Sequence, residues 1–423
     1  MTRAGQVMDA ALPLNYRSLI RVRGLPRLMV AALLGRTAGQ MGSVALVLYA
    51  LQRFHSPAIA GATVFASAFP GIAVSPLAGA ILDRSGRIKL IMLDYSVAAA
   101  VMALIVVLGA TGSLNAGLLI AIAAAGSFTN PLSSAGTRTL FPMLVPRPLW
   151  DRANGVDSAG YVIAAVLGAP LAGVIAGLVG RPAAIVATAV VYAAAAVSLL
   201  GMAALRLPPR RAAARSILHD AWGGLVYVAR NPTLRGLAVS LSVGNVASGL
   251  LIVALPVLVL DHLHQNPAVV GALWALSALS GGIVAVLLGH RGSHGRERPF
   301  IVAGMVVGAA AMAALAVAPD LLVVFLAMLV WGASAGPIDI GMFSVRQRRT
   351  DPAWYGRAFA VSMSLNFVGS PLGSAVAGPL IGAGLGVALA AAAGFSFAAA
   401  VLVQLMVPRH PTPAGPTDSG GHP

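Results

Sequence analysis

The sequence predicts an all-α polytopic membrane protein, with twelve transmembrane helices arranged as two pseudo-symmetric six-helix bundles. Two observations on composition support the membrane assignment: 58% of the 423 residues are hydrophobic, and only 9% are charged. A soluble domain carries about 25% charged residues, and apolar runs of about 20 residues are long enough to cross a bilayer. The third observation is an internal repeat, which divides the spans into two sets.

The apolar runs are separated by short polar breaks, except for one longer polar linker in the middle of the chain. The predicted spans are 25–51, 58–82, 90–110, 114–140, 153–179 and 183–206, followed by 233–261, 268–290, 299–318, 320–343, 355–382 and 385–407. We number them one to twelve. The predicted domains are an N-terminal bundle at 1–206, a cytoplasmic linker with an interfacial helix at 207–232, a C-terminal bundle at 233–408 and a disordered cytoplasmic tail at 409–423.

The internal repeat consists of three short segments that return in the same order. Residues 56–61, 148–153 and 168–171 return as 266–271, 352–358 and 369–372. Such a series indicates two copies of one unit with small loop differences. Because six is an even number of spans, both copies enter the membrane in the same direction, and we expect function in a cleft between them.

Basic residues fall on alternate loops, although the net charge is +16. With a cytoplasmic start, only Arg53 and Arg181 lie in outside loops, and Arg36 lies within a span. This distribution predicts a multi-pass protein of the plasma (inner) membrane with cytoplasmic N- and C-termini. The basic residues form no patch or stripe, so we expect no nucleic-acid partner. The expected partners are the lipid bilayer and a small-molecule substrate, and we expect a monomer.

The loop between spans two and three carries the most specific motif. It reads Gly79-Ala80-Ile81-Leu82-Asp83-Arg84-Ser85-Gly86-Arg87-Ile88-Lys89. This loop resembles the signature of the major facilitator superfamily, Gly-x-x-x-Asp-Arg-x-Gly-Arg followed by bases, and it differs at Ile88, where a second base is usual. With the twelve spans, the repeat and the basic linker, the resemblance covers essentially the whole chain. The Arg36 span and residues 131–154 resemble the bacterial drug and enterobactin exporter branch, which contains proton antiporters.

The resemblance implies a gate at the cytoplasmic face. In that family the loop's Asp and Arg contact the other half near the start of span eleven, which here is 354–357. The gating residues implied in the loop are Gly79, Asp83, Arg84, Gly86 and Arg87. A carboxylate at a helix N-terminus contributes about 0.3–1 kcal/mol, little enough for a contact that must also open. The alternative is that these charges only set the topology.

A second implied gating element lies in span five, at Gly168, Pro170 and Gly173. Small residues allow helix backbones to touch, and a proline bends the helix. The segment resembles the Gly-Pro-rich motif of the family's antiporters, with Ala169 inserted. Plain helix packing is the alternative.

Polar side chains inside the spans are the candidates for substrate binding and coupling. Arg36 lies about 15 Å into span one at 1.5 Å per residue. An Arg at that depth costs about 2.5–3.5 kcal/mol, so it should face a polar cavity or a carboxylate. Gln40 continues the same face, and Asp157 and Asp94 are the candidate carboxylate partners.

The other candidates lie in the middle of later spans. Asp339 is the only acid inside a span of the second half, and Asn130, Asn245 and Asn366 are amides at the depth of a central cavity. Asp339 is therefore a candidate proton carrier, with a structural role as the alternative. The family's antiporters often carry a basic residue midway along span four, which this chain lacks.

The sequence therefore predicts a secondary active transporter that exports a small amphipathic compound in exchange for protons, by alternating access, as multidrug resistance antiporters do. A proton-symport nutrient importer of the same fold and a non-transporting membrane receptor or scaffold remain alternatives. We expect no enzyme, no catalytic residues, no metal site and no cofactor, with the proton gradient as the driving force. The chain has no cysteine, no phosphate-binding Gly-x-x-x-x-Gly-Lys loop and no His-x-x-x-His pair in a span.

Overall fold

The computed structural model describes residues 16–85, 87–202, 217–291, 295–351 and 354–409. Within these ranges the chain is helical, with short turns and no strand. In the described part of the chain, eleven helices are long and apolar enough to cross a membrane. The all-α membrane fold predicted from composition is thus confirmed.

Each predicted span corresponds to one helix or to a pair of helices. Spans one to six are Leu25–Phe54, Pro57–Ser85, Arg87–Ala110, the pair Ala116–Ser127 and Asn130–Leu144, Trp150–Leu178, and Arg181–Ser198. Spans seven to twelve are Pro232–Val257, Pro267–Arg291, Glu297–Ala316, Leu321–Arg348, the pair Tyr355–Phe367 and Gly369–Ala383, and Leu385–Met406. Shorter elements are the helices Tyr16–Arg21 and Ile217–Arg230, a 3-10 turn at Arg147–Leu149 and a π turn at Leu258–His262.

The two paired spans break three residues or fewer before a proline. Span four is interrupted at Phe128 and Thr129, ahead of Pro131, and span eleven is interrupted at Val368, ahead of Pro371. A proline has no N–H to donate to the carbonyl four residues earlier, and its ring crowds that carbonyl. The continuous spans predicted at 114–140 and 355–382 are each divided at these positions.

Close backbone contact accompanies the break in span four. A Cβ placed on Gly71 of span two would overlap the carbonyl oxygen of Ser127, the last residue before the break. Only glycine allows this approach, because it leaves room for the neighbouring backbone. The break and the contact therefore occur at the same level of the helix pair.

The chain forms two compact units. The first unit contains the chain up to Leu218, with Ile252–Leu279 and Ser374–Leu385. The second contains His219–Leu251, Ser280–Gly373 and the chain from Gly386 onwards. These units group residues by their proximity, whereas the predicted bundles at 1–206 and 233–408 follow the order of the chain. The two predicted bundles therefore stay a prediction. The predicted tail lies almost entirely outside the described residues.

Each unit has its own apolar core. In the first unit Leu28, Ile91 and Leu199 are fully buried together, and in the second unit Leu237 and Val403 are fully buried. Lipid tails are as apolar as these side chains, so close packing and not the exclusion of water holds such cores together. Large apolar side chains also cover the outer surface, as expected of helices that face lipid; examples are Leu178, Val317 and Leu405.

Candidate functional site

Arg36 and Asp157 form an ion pair inside the first unit. The Nη2 atom of Arg36 lies 2.6 Å from Oδ1 of Asp157, and the two side chains are only 13% and 15% exposed. The Nη1 atom also donates to the backbone carbonyl of Asp157 at 3.0 Å. The intramembrane charge of Arg36 thus faces a carboxylate, which is the arrangement that makes a buried arginine tolerable.

Tyr161 extends this ion pair into a small cluster. Its ring lies one turn after Asp157, and the Arg36 guanidinium carbon is 3.6 Å from the ring centroid. The Nε atom of Arg138 donates to the Tyr161 hydroxyl at 3.2 Å. Gly160 leaves room for Arg36, because a Cβ there would lie 3.2 Å from Nη1.

Asp94 is not the partner of Arg36. It is 2% exposed and lies beside the hydroxyl groups of Ser133 and Thr129 in span four, which donate to the backbone carbonyls of Asn130 and Gly126. Of the two carboxylates that the sequence offered to Arg36, the structure therefore selects Asp157.

Glycines in span five set its position against two neighbours. A Cβ on Gly168 would lie 2.5 Å from Cβ of Gln40 and 2.8 Å from the Thr37 carbonyl oxygen in span one. Five residues on, a Cβ on Gly173 would lie 2.8 Å from the Cα of Gly271 in span eight. A Cβ on Gly271 would in turn lie 2.8 Å from the Cα of Pro170. The predicted gating residues of span five thus lie at backbone contacts, while their gating role stays a prediction.

Between these contacts the first unit contains a cavity of about 170 Å³, which we call the first cavity. Its polar and amphipathic side chains are those of Gln40, Ser43, Trp274 and Ser277, and the Arg36–Asp157 pair lies outside its lining. Its full lining is Gln40, Ser43, Val44, Ala165, Ala169, Ile252, Pro256, Trp274, Ser277 and Ala278.

The second unit contains a cavity of about 220 Å³, which we call the second cavity. It brings together three predicted site residues, Asn245, Asp339 and Asn366. Its other lining residues are Leu241, Gly244, Ser248, Met305, Gly308, Met312, Trp331, Ser334, Ala335, Ile338, Met342, Phe367 and Ser396. The span-ten residues recur at helical spacings of three and four from Trp331 to Met342, so one face of that helix forms a wall.

The two amides of the second cavity form a pair. Nδ2 of Asn245 donates to the Leu241 carbonyl at 2.9 Å and reaches the carbonyl and Oδ1 of Asn366 at 3.1 and 3.2 Å. Nδ2 of Asn366 points to the sulfur of Met342 at 3.5 Å. Because a backbone carbonyl can only accept, the contact with Leu241 fixes which end of the Asn245 amide is the donor.

Asp339 is the one ionisable side chain among the residues that line the second cavity. It is exposed to the cavity. Among the described residues it has no hydrogen-bond partner and no ion-pair partner. This is the reverse of Asp157, whose charge is matched by Arg36 at 2.6 Å.

Comparison with known proteins identifies the family. The sequence profile of the Major Facilitator Superfamily matches residues 28–374 and, in a second alignment, 237–422. The chain belongs to the Major Facilitator Superfamily. It is 40% identical over 402 residues to a protein of Sinorhizobium fredii described as an uncharacterized MFS-type transporter, y4rN, with 95% of this chain and 98% of that protein covered.

Some more distant relatives have described functions. This major facilitator is 28% identical over 364 residues to the multidrug efflux pump Tap of Mycolicibacterium fortuitum, with 82% and 87% of the two chains covered. The solved structure of the nucleoside transporter NupG matches with a TM-score of 0.73 at 12% identity, over 90% of this chain and 98% of that one. A bacterial homologue of the human lysosomal transporter Spinster matches with a TM-score of 0.67 at 15% identity, over 94% and 96%. The two structures support the fold, and the protein is a multi-pass membrane transporter.

The remaining predicted residues of this major facilitator are not brought into either cavity. Asn130 is the first residue of the helix after the break in span four; it is exposed and lines neither cavity. Arg87 is buried, with Nη1 3.1 Å from the sulfur of Met143.

The superfamily loop is only partly described. Gly79, Asp83 and Arg84 belong to the helix Pro57–Ser85, but their surroundings, and Gly86 altogether, lie outside the described part of the structure. The predicted contact of this loop with 354–357 stays a prediction.

Sequence reasoning missed the aromatic residues of the second cavity. Trp331 and Phe367 line it, and neither was a candidate. Trp331 lies eight residues before Asp339, close to two helical turns, so helical periodicity could have placed both on one face. Phe367 follows Asn366 directly and lies at the break in span eleven, a position that periodicity does not reveal.

Proposed function

We propose that this transporter exports a small amphipathic compound from the cytoplasm in exchange for protons, by alternating access. The observation that carries the proposal is the second cavity, where one carboxylate, two amides and several apolar side chains meet in the membrane-spanning part of the chain. Cavities of this kind, largely apolar with a few convergent polar groups, are usual binding sites for small molecules. A sugar site would instead require many oriented hydrogen-bond donors and acceptors.

Asp339 is the proposed proton carrier. A carboxylate inside a membrane protein is costly when ionised, and ionisable residues there commonly belong to ion or proton pathways. Since Asp339 has no cationic partner among the described residues, a proton can neutralise it without first breaking an ion pair. Asp157 lacks this freedom, because its proton would have to displace Arg36.

Export is proposed on the likeness to Tap and on the glycine contacts of span five. Tap is described as a multidrug efflux pump, and the likeness to it extends over 82% of this chain. The distribution of Arg and Lys supports an inner-membrane location with both termini in the cytoplasm. Export of a cytoplasmic compound then requires that proton entry drive substrate exit.

Transport in proteoliposomes tests the proposal, with a cationic dye (ethidium) and a neutral dye (Nile red) as substrates. An imposed proton gradient should drive dye movement opposite to the protons in the wild type, and Asp339→Asn should abolish this while Asp339→Glu retains part of it. Asp320→Asn is the matched control, since Asp320 lies on the same helix outside the cavity and Asn keeps its capping bond to the Val323 N–H.

The direction of movement separates the alternatives. Dye movement in the same direction as the protons would replace export by symport. Absence of counterflow for every dye would remove the transport proposal. Proton-driven export by Asp339→Asn at the wild-type rate would remove Asp339 as the carrier.

A further inference from the structure

We propose that the second cavity selects organic monocations, in which an ammonium-type charge pairs with Asp339 and an apolar body packs on Trp331 and Phe367. The inference deepens the proposed function, because it rests on the same cavity and names the class of substrate. Three independent features of the lining carry it: its charge, the direction of its hydrogen bonds and its aromatic and thioether walls.

The charge of the lining is negative and uncompensated. The cavity is lined by residues of spans seven, nine, ten, eleven and twelve, and among these described residues none is a lysine, arginine or histidine. Asp339 of span ten is the single titratable group that faces it. An ionised carboxylate in a membrane-embedded cavity is stabilised by a counter-ion, and here the ligand has to supply one.

The hydrogen bonds of the lining leave acceptors facing the ligand. Nδ2 of Asn245 donates to the backbone of Leu241 and to Asn366. The Ser334 hydroxyl donates to the Trp331 carbonyl at 2.6 Å, and the Ser396 hydroxyl donates to the Met305 carbonyl at 2.9 Å. These side chains direct their hydrogens to the protein, so their lone pairs remain for a ligand. An anion would find few donors here, whereas a cation finds oxygen atoms.

The walls of the cavity suit the apolar body of such a cation. Trp331 and Phe367 supply π faces, which attract cations when both are removed from water. Met305, Met312 and Met342 supply polarisable sulfur and flexible side chains that adapt to different shapes. The first cavity differs, because none of the residues that line it is charged.

The volume limits the size of the cation. At about 220 Å³ the second cavity is smaller than the about 300–1,000 Å³ that is usual for drug-sized ligands. It holds an ammonium group with one aromatic ring, so a larger dye would extend beyond it.

A pair of isosteric probes tests this selectivity on the purified full-length protein in lipid nanodiscs. The cation is (4-hydroxyphenyl)trimethylammonium, and the neutral isostere is 4-tert-butylphenol; they have the same shape and the same hydroxyl group. Binding is measured by isothermal titration calorimetry. We expect the cation to bind about tenfold or more tightly than the isostere, as for hydrogen-bonded or paired charged groups.

Variants and the pH dependence of binding then test whether Asp339 is the origin of the preference for the cation. The charge of a quaternary ammonium does not change with pH, so weaker binding at low pH reports protonation of the protein. Asp339→Asn should bind both probes equally and lose the pH dependence, Asp339→Glu should restore the preference, and Asp320→Asn should match the wild type. Equal affinities for the two probes in the wild type, or no saturable binding of the cation, would overturn the inference without reference to any variant.

The binding test of the cation site and the transport test of the proposed function can fail independently of each other. Charge-selective binding without proton-driven transport in proteoliposomes would leave the cation site standing and remove the exchange mechanism. Proton-driven export of Nile red together with equal binding of the two probes would do the reverse.

Discussion

From the contacts of the ion pair between Arg36 and Asp157, we predict that substituting one partner lowers the free energy of unfolding more than substituting the other. Removing one partner of a buried pair costs about 3–5 kcal/mol when the other charge is left alone. Asp157→Asn does not leave Arg36 alone, because the guanidinium keeps the Asp157 carbonyl at 3.0 Å and the Tyr161 ring at 3.6 Å. We therefore expect a cost near 2 kcal/mol, the lower part of the about 1.5–3 kcal/mol for hydrogen bonds to charged groups.

Arg36→Gln is expected to cost more. It leaves the Asp157 carboxylate largely buried without its ion-pair partner, while the Arg138 guanidinium of the same cluster stays on the Tyr161 hydroxyl, so a penalty of about 3–5 kcal/mol applies. The order of the two costs follows from the contacts that survive each substitution. A topological role for Arg36, without coupling to Asp157, would give independent effects.

A double-mutant cycle measures the coupling. The two single variants and the double variant are unfolded by dodecyl sulfate in mixed micelles, and the free energies of unfolding are compared. We expect a coupling of about 2 kcal/mol, above the about 0.3–0.5 kcal/mol scatter of independent sites. Arg53→Gln, an exposed arginine at the end of the same helix, is the control and should change stability by less than about 0.5 kcal/mol. Coupling within the scatter, or a larger cost for Asp157→Asn than for Arg36→Gln, would refute the reasoning.

Three further predictions concern packing, the amide pair and topology. Gly271→Ala should destabilise the protein by about 1–3 kcal/mol in the same assay, because its Cβ would press on the backbone of span five, whereas Gly289→Ala, which meets nothing within 4 Å, should not. Asn366→Ala should cost about 1–2 kcal/mol by removing a buried hydrogen-bonding side chain, and an unchanged unfolding curve would contradict the amide pair. In intact cells an impermeant maleimide should label Ser113→Cys but not Arg296→Cys, and the reverse pattern would invert the proposed orientation; the natural chain has no cysteine to interfere.

The positions of the spans could be predicted from the sequence because the bilayer imposes a length on every apolar run. Span twelve was predicted at 385–407 and is Leu385–Met406. The breaks in spans four and eleven were missed, although Pro131 and Pro371 were visible. A proline alone does not determine whether a span is broken, since Pro170 and Pro337 lie inside continuous helices. At Gly71 the neighbouring backbone packs against the break, and apolar runs carry no information on such contacts.

The sequence allowed us to predict how deep in the membrane the candidate residues lie, but not the direction in which their side chains point. Position inside a span selected Asn245, Asp339 and Asn366 as candidates, and the structure joins them in one cavity. The same criterion selected Asn130, which lies at a helix start and lines neither cavity. Each residue turns the helix by about 100°, so a small error in helix phase sends a side chain to a different neighbour. Depth follows from counting residues, whereas direction needs the packed neighbours.

Asp157 has an ion-pair partner, whereas Asp339 has none among the described residues, and from this difference we infer different roles for the two carboxylates. A group that exchanges protons for substrate must lose and regain partners in every transport cycle. For Asp157 each loss would break the contact with Arg36, whereas Asp339 has no described partner to break. We therefore expect Asp157→Asn to lower stability and transport together, and Asp339→Asn to lower transport with stability unchanged. If the two variants showed the opposite pattern, the proton would have to be carried by the ion pair of the first unit.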